Sequence, residues 1–366
     1  MIRPTTPDIP SHVQSLQAYQ PGLPIETLAR QSGHPATAII KLASNENPYG
    51  MSPRARAALR IAASGAHRYP EAHQLHTLLA AHHDLTLAHI TLGNGSNDIL
   101  DLIARTFLGP GTEAISAQYA FAIYAIATQT TGATHITAPA TRLGHDLVAI
   151  HAAITPATRI IWLANTNNPT GTFIPYSHIK TFLETIPPHI VVVLDEAYFE
   201  YLPPEDRADT PTWLATHPNL ILVRTFSKIY GLAGLRVGYS LAHPRITEFL
   251  NRIRQPFNVN SIALATAAAA LADQTFVQQS YQRNRRGLRQ LEAGLSRLGL
   301  AFTPSLANFV TIAIPNAPSV YAALLRRGII VRPLSGYSLP RHLRISVGRP
   351  SQNRQLLSSL AAIIRP

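Results

Sequence analysis

Residues 190–198 read Ile190-Val191-Val192-Val193-Leu194-Asp195-Glu196-Ala197-Tyr198. The first five are apolar at every position. A strand with one wet face alternates polar and apolar, so this unbroken run fits a central strand of a parallel sheet, covered on both sides. Outward from it, similar β-rich runs occupy 113–116, 159–164 and 220–224, with helical patterns at 97–107 and 177–185 between them. This alternation, from about residue 90 to 240, predicts an α/β domain with a mostly parallel sheet. After Asn260 the pattern changes to an alanine-rich helix, a helix over 278–298, and short strands near 309–314 and 343–347. That predicts a smaller α+β domain, on which the proline-rich first forty or so residues are expected to pack. The expected division is 45–257 for the large domain, and 1–44 with 258–366 for the small one.

Composition narrows the function. The chain has 366 residues, 46% hydrophobic and 14% charged, which argues for a folded core and against disorder. No run reaches the roughly 18 apolar residues of a membrane span. Residues 1–12 hold no apolar h-region, so no secretory signal is expected, and a cytoplasmic location is. Without cysteine, disulfides, thiolate catalysis and cysteine-bound metal are excluded. The net charge is +12, yet lysine occurs only at Lys41, Lys180 and Lys228, so arginine carries nearly all of it. Such a surplus suits nucleic acid, anionic small substrates or base-composition drift equally. The densest cluster, Arg283, Arg285, Arg286 and Arg289, shares a helix with Leu288 and Leu291 and reads as a solvated face. Nothing resembles a module that reads bases or backbone, so no nucleic-acid partner is expected. His73, His76 and His83 lie opposite Leu75, Leu78 and Leu79 on a helix; zinc would need a further ligand, so a solvated face and no metal are expected.

In open α/β sheets ligands sit at the carboxyl ends of strands. There the chain places Asn165-Thr166-Asn167-Asn168-Pro169-Thr170-Gly171, then Asp195-Glu196-Ala197-Tyr198, then Thr225-Phe226-Ser227-Lys228 followed by Gly234-Leu235-Arg236-Val237-Gly238. Lys228 alone could be a surface lysine, or a desolvated amine of lowered pKa able to form a Schiff base. Asp195 alone could bind metal, cap a helix or pair with a cation; Glu196 would point the other way along a strand. Gly93-Asn94-Gly95-Ser96-Asn97 before a helix is either a plain turn or a phosphate cradle, and it is not a nucleotide P-loop.

Taken together, these segments resemble the fold-type I pyridoxal-phosphate aminotransferases, and within them the histidinol-phosphate aminotransferase family. The similarity extends from about Tyr19 to Gly348 and includes Leu42-Ala43-Ser44-Asn45-Glu46-Asn47-Pro48, Arg68-Tyr69-Pro70 and residues 343–348. The resemblance implies a pyridoxal 5'-phosphate cofactor held covalently by Lys228, which also shuttles the proton. Asp195 would pair with the ring nitrogen, Asn168 and Tyr198 would donate to the ring phenolate oxygen, and Phe121 would stack on the ring. Ser96, Asn97, Thr225, Ser227 and Arg236 would take the cofactor phosphate, with Tyr69 reaching it from the partner of a homodimer. Tyr19, Asn308, Arg332 and Arg344 would bind substrate. The implied reaction is transamination between L-histidinol phosphate, the small-molecule amino donor, and the 2-oxo acid 2-oxoglutarate. Thr166 departs from the proline common there in relatives. Residues 255–261 resemble a branch that includes aromatic amino acid aminotransferases, which leaves that activity as the alternative, with a decarboxylase of a phosphorylated amino acid behind it.

Overall fold

The structure, a computed structural model, describes residues 7–364. A seven-stranded sheet forms its centre, in the order Ile90–Gly93, Gly238–Ala242, Leu220–Thr225, Val191–Asp195, Thr158–Ala164, Glu113–Ala117, Thr134–Ala138. From Leu220–Thr225 onward the strands pair in parallel. Gly238–Ala242 runs antiparallel to both its neighbours.

The reading of 190–194 holds residue by residue. Val192 and Leu194 enter one hydrophobic core, and Val191 and Val193 enter another on the opposite face. Neighbouring Ile161 and Leu163, against Ile160 and Trp162, divide the same way. Side chains alternate across a strand, so a strand with two dry faces must be apolar throughout. Burying each such side chain contributes roughly 1.5–3 kcal/mol. Three strands carry no comparable run: Ile90–Gly93 and Gly238–Ala242 each contain a glycine, and Thr134–Ala138 is a sheet edge with exposed Thr134 and Thr137.

A second sheet of four antiparallel strands runs Phe302–Thr303, Phe309–Ala313, His342–Ser346, Arg332–Pro333. Helices Gln274–Arg297, Ala317–Arg326 and Pro350–Ile364 supply its core with Leu291, Leu324 and Leu356. The amino-terminal part joins here, because Ile40–Lys41 pairs in parallel with Ile329–Ile330. The change of core falls later in the chain than residue 257. Helix Ser261–Leu271 lies against Pro53–Ala63, and its Ala263, Ala267 and Ala270 belong to the core of the large sheet. Alanines let two helix backbones approach closely, which keeps this helix with the first core. Helix Gln274–Arg297 spans both, with Val277 in the first core and Leu288 and Leu295 in the second.

On the histidine-bearing helix His73–His83 only part of the expected solvated face is wet. His73 is exposed, but His76 and His83 are half-buried, and His83 Nε2 lies 3.0 Å from the Tyr239 hydroxyl. Arg283, Arg286 and Arg289 are exposed, and Arg283 lies over the Tyr49 ring at 4.6 Å. Among the described residues no helix is long and apolar enough to cross a membrane.

Candidate active site

Ala164, Asp195 and Thr225 end three neighbouring parallel strands, and all three line one cavity of about 240 Å³. The topology alone brings them together: register pairs Ala164 with Asp195, and Asp195 with Val223. Also lining it are Ser96, Asn97, Phe121, Asn168, Tyr198, Ser227, Lys228, Arg236, Tyr19, Arg332 and Arg344.

One end is built for an anion. Ser96 and Asn97 open the helix Ser96–Phe107, whose first backbone N–H groups and dipole favour negative charge. The loop before it is tied down by Asp98, whose Oδ2 accepts from the Asn94 N–H at 2.7 Å and from Asn258 Nδ2 at 2.8 Å. Two glycines permit the approach. A Cβ on Gly95, at φ 87°, would lie 2.1 Å from Arg236 Nη2, and one on Gly238 would lie 2.5 Å from the Ser96 nitrogen. Arg236 Nη1 donates to Ser227 Oγ at 3.3 Å and to the Ala233 carbonyl at 3.0 Å. Thr225 Oγ1 accepts from the Ser227 N–H at 3.1 Å, so its own hydroxyl proton is free to serve a ligand. Helix N–H groups, two hydroxyls and a guanidinium fork converge here with no carboxylate among them, a set that fits a phosphate dianion.

Across the cavity lies Asp195. Burial pushes its carboxyl up to about 6, against the pull of the Tyr124 hydroxyl (2.8 Å to Oδ2), the Ala197 N–H (3.1 Å to Oδ1) and the Lys228 charge. A buried carboxylate in this state fits a cationic partner. Tyr124 is itself held, stacked on Trp162 with ring centroids 5.5 Å apart and planes within 2°. Phe121, just before the helix Ala122–Thr130, meets Tyr124 edge to face at 5.8 Å.

Lys228 sits between these ends. Its Nζ donates to the Ser44 carbonyl at 3.4 Å and lies 5.8 Å from the centre of the Tyr198 ring. Burial first, then the Arg344 and Arg236 charges, bring its pKa down to about 8, while Glu46 and Asp195 oppose this. Burial likewise raises Tyr198 to about 12, so its phenol keeps its proton. Glu196, next to Asp195, does turn away. It is fully buried on the far side, where its Oε2 accepts from Arg224 Nε at 3.0 Å and Nη2 at 2.9 Å, while Tyr176 and Thr210 also donate to it.

The outer wall is cationic. Arg344 is buried; it donates to Asn168 Oδ1 and to the Ala43 carbonyl at 2.7 Å, while its Nε has no partner. Arg332 Nη2 donates to the Gln20 carbonyl at 2.5 Å, and its guanidinium lies 5.9 Å from the ring centre of half-exposed Tyr19. Tyr69 is expected at a partner's cavity, and of the residues expected at this one Asn308 alone is not brought to it. Asn308 is buried behind it and donates to the Asn45 carbonyl at 2.8 Å. Tyr69 is 81% exposed and stacks on Phe257, centroids 4.6 Å apart. In turn, the cavity includes Tyr124, Ser44, Asn45 and Glu46, to which the sequence reading gave no role, although it quoted the 42–48 segment that carries the last three. A tyrosine one helical turn after Phe121 was the available signal for Tyr124.

The comparisons agree with this geometry. The aminotransferase class I and II family matches residues 37–360. Histidinol-phosphate aminotransferase 1 of Dechloromonas aromatica is 55% identical over 96% of this chain and 97% of its own length. That of Thiobacillus denitrificans is 51% identical over 97% and 93%. The crystal structure of histidinol-phosphate aminotransferase from Sinorhizobium meliloti, in complex with pyridoxal-5'-phosphate, superposes with a TM-score of 0.89 at 30% identity, covering 99% of both chains. The chain belongs to the class I and II aminotransferases, in the histidinol-phosphate aminotransferase family.

Proposed function

We propose that the protein transfers the amino group of L-histidinol phosphate to 2-oxoglutarate, giving imidazole-acetol phosphate and L-glutamate in histidine biosynthesis, with pyridoxal 5'-phosphate as cofactor. The observation that carries this reading is one cavity with a phosphate cradle at one end, a buried carboxylate at the other, an amine of lowered pKa between them, and two further arginines at its outer wall.

Ser96, Asn97, Thr225, Ser227 and Arg236 would hold the cofactor phosphate, Lys228 its aldehyde carbon and Asp195 its ring nitrogen. When bound, the cofactor supplies an electron-accepting ring that stabilises negative charge at the substrate Cα and stores the amino group between half-reactions. Asp195 keeps the ring nitrogen protonated. Phe121 covers the ring face, and Tyr198 and Asn168 donate to its phenolic oxygen. Lys228 Nζ takes the Cα proton of the donor; with its pKa near 8 a substantial fraction is the neutral base at that pH. Arg344 and Arg332, with Tyr19, bind the anionic ends of phosphate and dicarboxylate substrates in turn. Asn308 serves by holding the Asn45 backbone.

We also propose a homodimer, supported by the exposed Tyr69–Phe257 stack, whose aromatic faces a partner would cover while Tyr69 reached that partner's phosphate site. A cytoplasmic location is supported by the phosphorylated substrates, which do not cross membranes unaided. The change of core supports a domain division near residue 280 rather than 257. Purified protein given 2-oxoglutarate with each donor tests the reaction. A higher kcat/KM for histidinol phosphate than for phenylalanine is expected. The reverse order would make it an aromatic amino acid aminotransferase, and carbon dioxide release a decarboxylase.

A further inference from the structure

Asn45 is 1% exposed and holds a left-handed backbone, φ 55°, a conformation that asparagine tolerates better than most residues. Its Nδ2 lies 2.9 Å from the Tyr198 hydroxyl. Its other amide atom, Oδ1, lies 2.9 Å from Ser346 Oγ, and that same Oγ accepts from the Asn45 backbone N–H at 2.8 Å. A serine hydroxyl has one proton. Since Oγ already accepts from the backbone, its proton goes to Oδ1. A flipped amide would set two donors against Oγ and leave its proton without an acceptor. Ser346 therefore selects the orientation in which Asn45 presents its NH2 to Tyr198. The tyrosine oxygen is then an acceptor toward Asn45, and its own proton must point elsewhere. The cavity is the open direction, since Tyr198 packs edge-on against Phe309, ring centroids 5.4 Å apart.

We propose that Asn45, oriented by Ser346, is a positioning residue that fixes Tyr198 as a proton donor into the active site. The inference rests on the proposed function, in which Tyr198 donates to the phenolic oxygen of the bound cofactor. It also gives the second sheet a hand in the chemistry. Ser346 ends the strand His342–Ser346, two residues after Arg344, so the strand that carries a substrate-binding arginine also sets the polarity of Tyr198. The charged groups facing Tyr198 are Arg344, Asp195 and Lys228, with the Tyr337 hydroxyl beside them, and none of them is altered in the test.

The test is a spectrophotometric pH titration of the visible absorption of the holoenzyme, without substrate. Four forms are compared with wild type: Asn45→Gly, Ser346→Ala, Tyr198→Phe and the Asn45→Gly/Tyr198→Phe double variant. Glycine keeps the left-handed backbone at no steric cost, and Ser346→Ala leaves Asn45 in place but free to flip. Loss of a hydrogen bond to the charged form raises the titration midpoint. Tyr198→Phe is expected to raise it by roughly 1–2 pH units, the size of one such bond. Asn45→Gly and Ser346→Ala are expected to move it in the same direction, and Asn45→Gly to add nothing once Tyr198 is phenylalanine. Should Tyr198→Phe shift the midpoint while both other single variants leave it in place, or should Asn45→Gly act fully in the phenylalanine background, the positioning role is wrong. A midpoint indifferent to Tyr198→Phe overturns instead the assigned role of Tyr198 itself.

Discussion

The hydroxyl of Tyr124 donates to Asp195 Oδ2 at 2.8 Å, and the tyrosine ring is clamped flat against Trp162. Trp162 is fixed in turn through its indole N–H, 3.2 Å from Thr128 Oγ1. A rigid donor thus supports a carboxylate that burial alone would protonate. Tyr124→Phe keeps the ring stack and removes the donor. Asp195 then has one neutral donor left, the Ala197 N–H, and its pKa rises above about 6. Hydrogen bonds to charged groups are worth about 1.5–3 kcal/mol, so kcat near neutral pH should fall by about ten-fold or more, with partial recovery at higher pH as Asp195 ionises. Steady-state kinetics from pH 6 to 9 check this; an unchanged kcat across that range refutes it.

Behind the site, the Arg224–Glu196 pair joins two neighbouring strand ends with both partners buried, and the guanidinium lies 3.7 Å from the Phe199 ring centre. Removing one partner of such a pair leaves a buried charge uncompensated, at about 3–5 kcal/mol. Glu196→Gln should therefore lower the denaturant midpoint strongly, and Glu196→Gln with Arg224→Met should lose less than Glu196→Gln alone. Urea unfolding of the three proteins measures both effects. Additive losses would mean that the pair is not coupled.

Arg332 reaches the cavity from the second sheet and meets Tyr19 and the Gln20 carbonyl. Its guanidinium is free to grip a phosphate with two N–H groups. Arg332→Ala should raise KM for histidinol phosphate by roughly 10–100-fold, the scale of one charge-assisted contact, and should affect phenylalanine much less. Equal effects on both donors would remove the arginine from phosphate recognition.

Stability should fall in mild acid, and His83 is one reason. Burial first, then Arg224 and His82, bring its pKa down from 6.5 to about 2. The unfolded chain takes its proton below about 6.5 while the folded one does not, so this contribution is present above pH 6.5 and is lost as the pH drops below it. His135 and His145, brought down by burial to about 4, act with the same sign. Asp195 at about 6 and Glu200 at about 7 act oppositely, since folded carboxyls of raised pKa bind protons first. His83→Gln isolates the contribution of this one side chain. The drop in urea midpoint between pH 7.5 and 5 should be smaller in the variant than in the wild type, and an equal drop would show that His83 does not titrate as described.

Much of this was written in the sequence. The run 190–194 announces a strand with two dry faces because every position must be apolar, and Asp195 and Lys228 follow from the rule that ligands meet strand ends. Less visible were contacts between distant segments. Nothing near Asn45 reveals that Ser346 will orient it or that Tyr198 will meet it, since 301 and 153 residues separate these partners. Asn308 was expected to bind substrate, yet it does not line the cavity and donates instead to the carbonyl of Asn45, which does. Which core the alanine-rich helix joins was not legible, because it has no apolar stripe; every face of Ser261–Leu271 looks alike, and only packing against Pro53–Ala63 shows it.

The central claim is that the Lys228 amine carries the cofactor. Borohydride reduction of the purified holoenzyme, followed by peptide mapping, tests it most directly. Stable pyridoxyl label on the peptide holding Lys228, with none on the peptides of Lys41 and Lys180 and none in Lys228→Ala, is the predicted result. Label on either of the other lysines, or a Lys228→Ala protein that still transaminates, would contradict it.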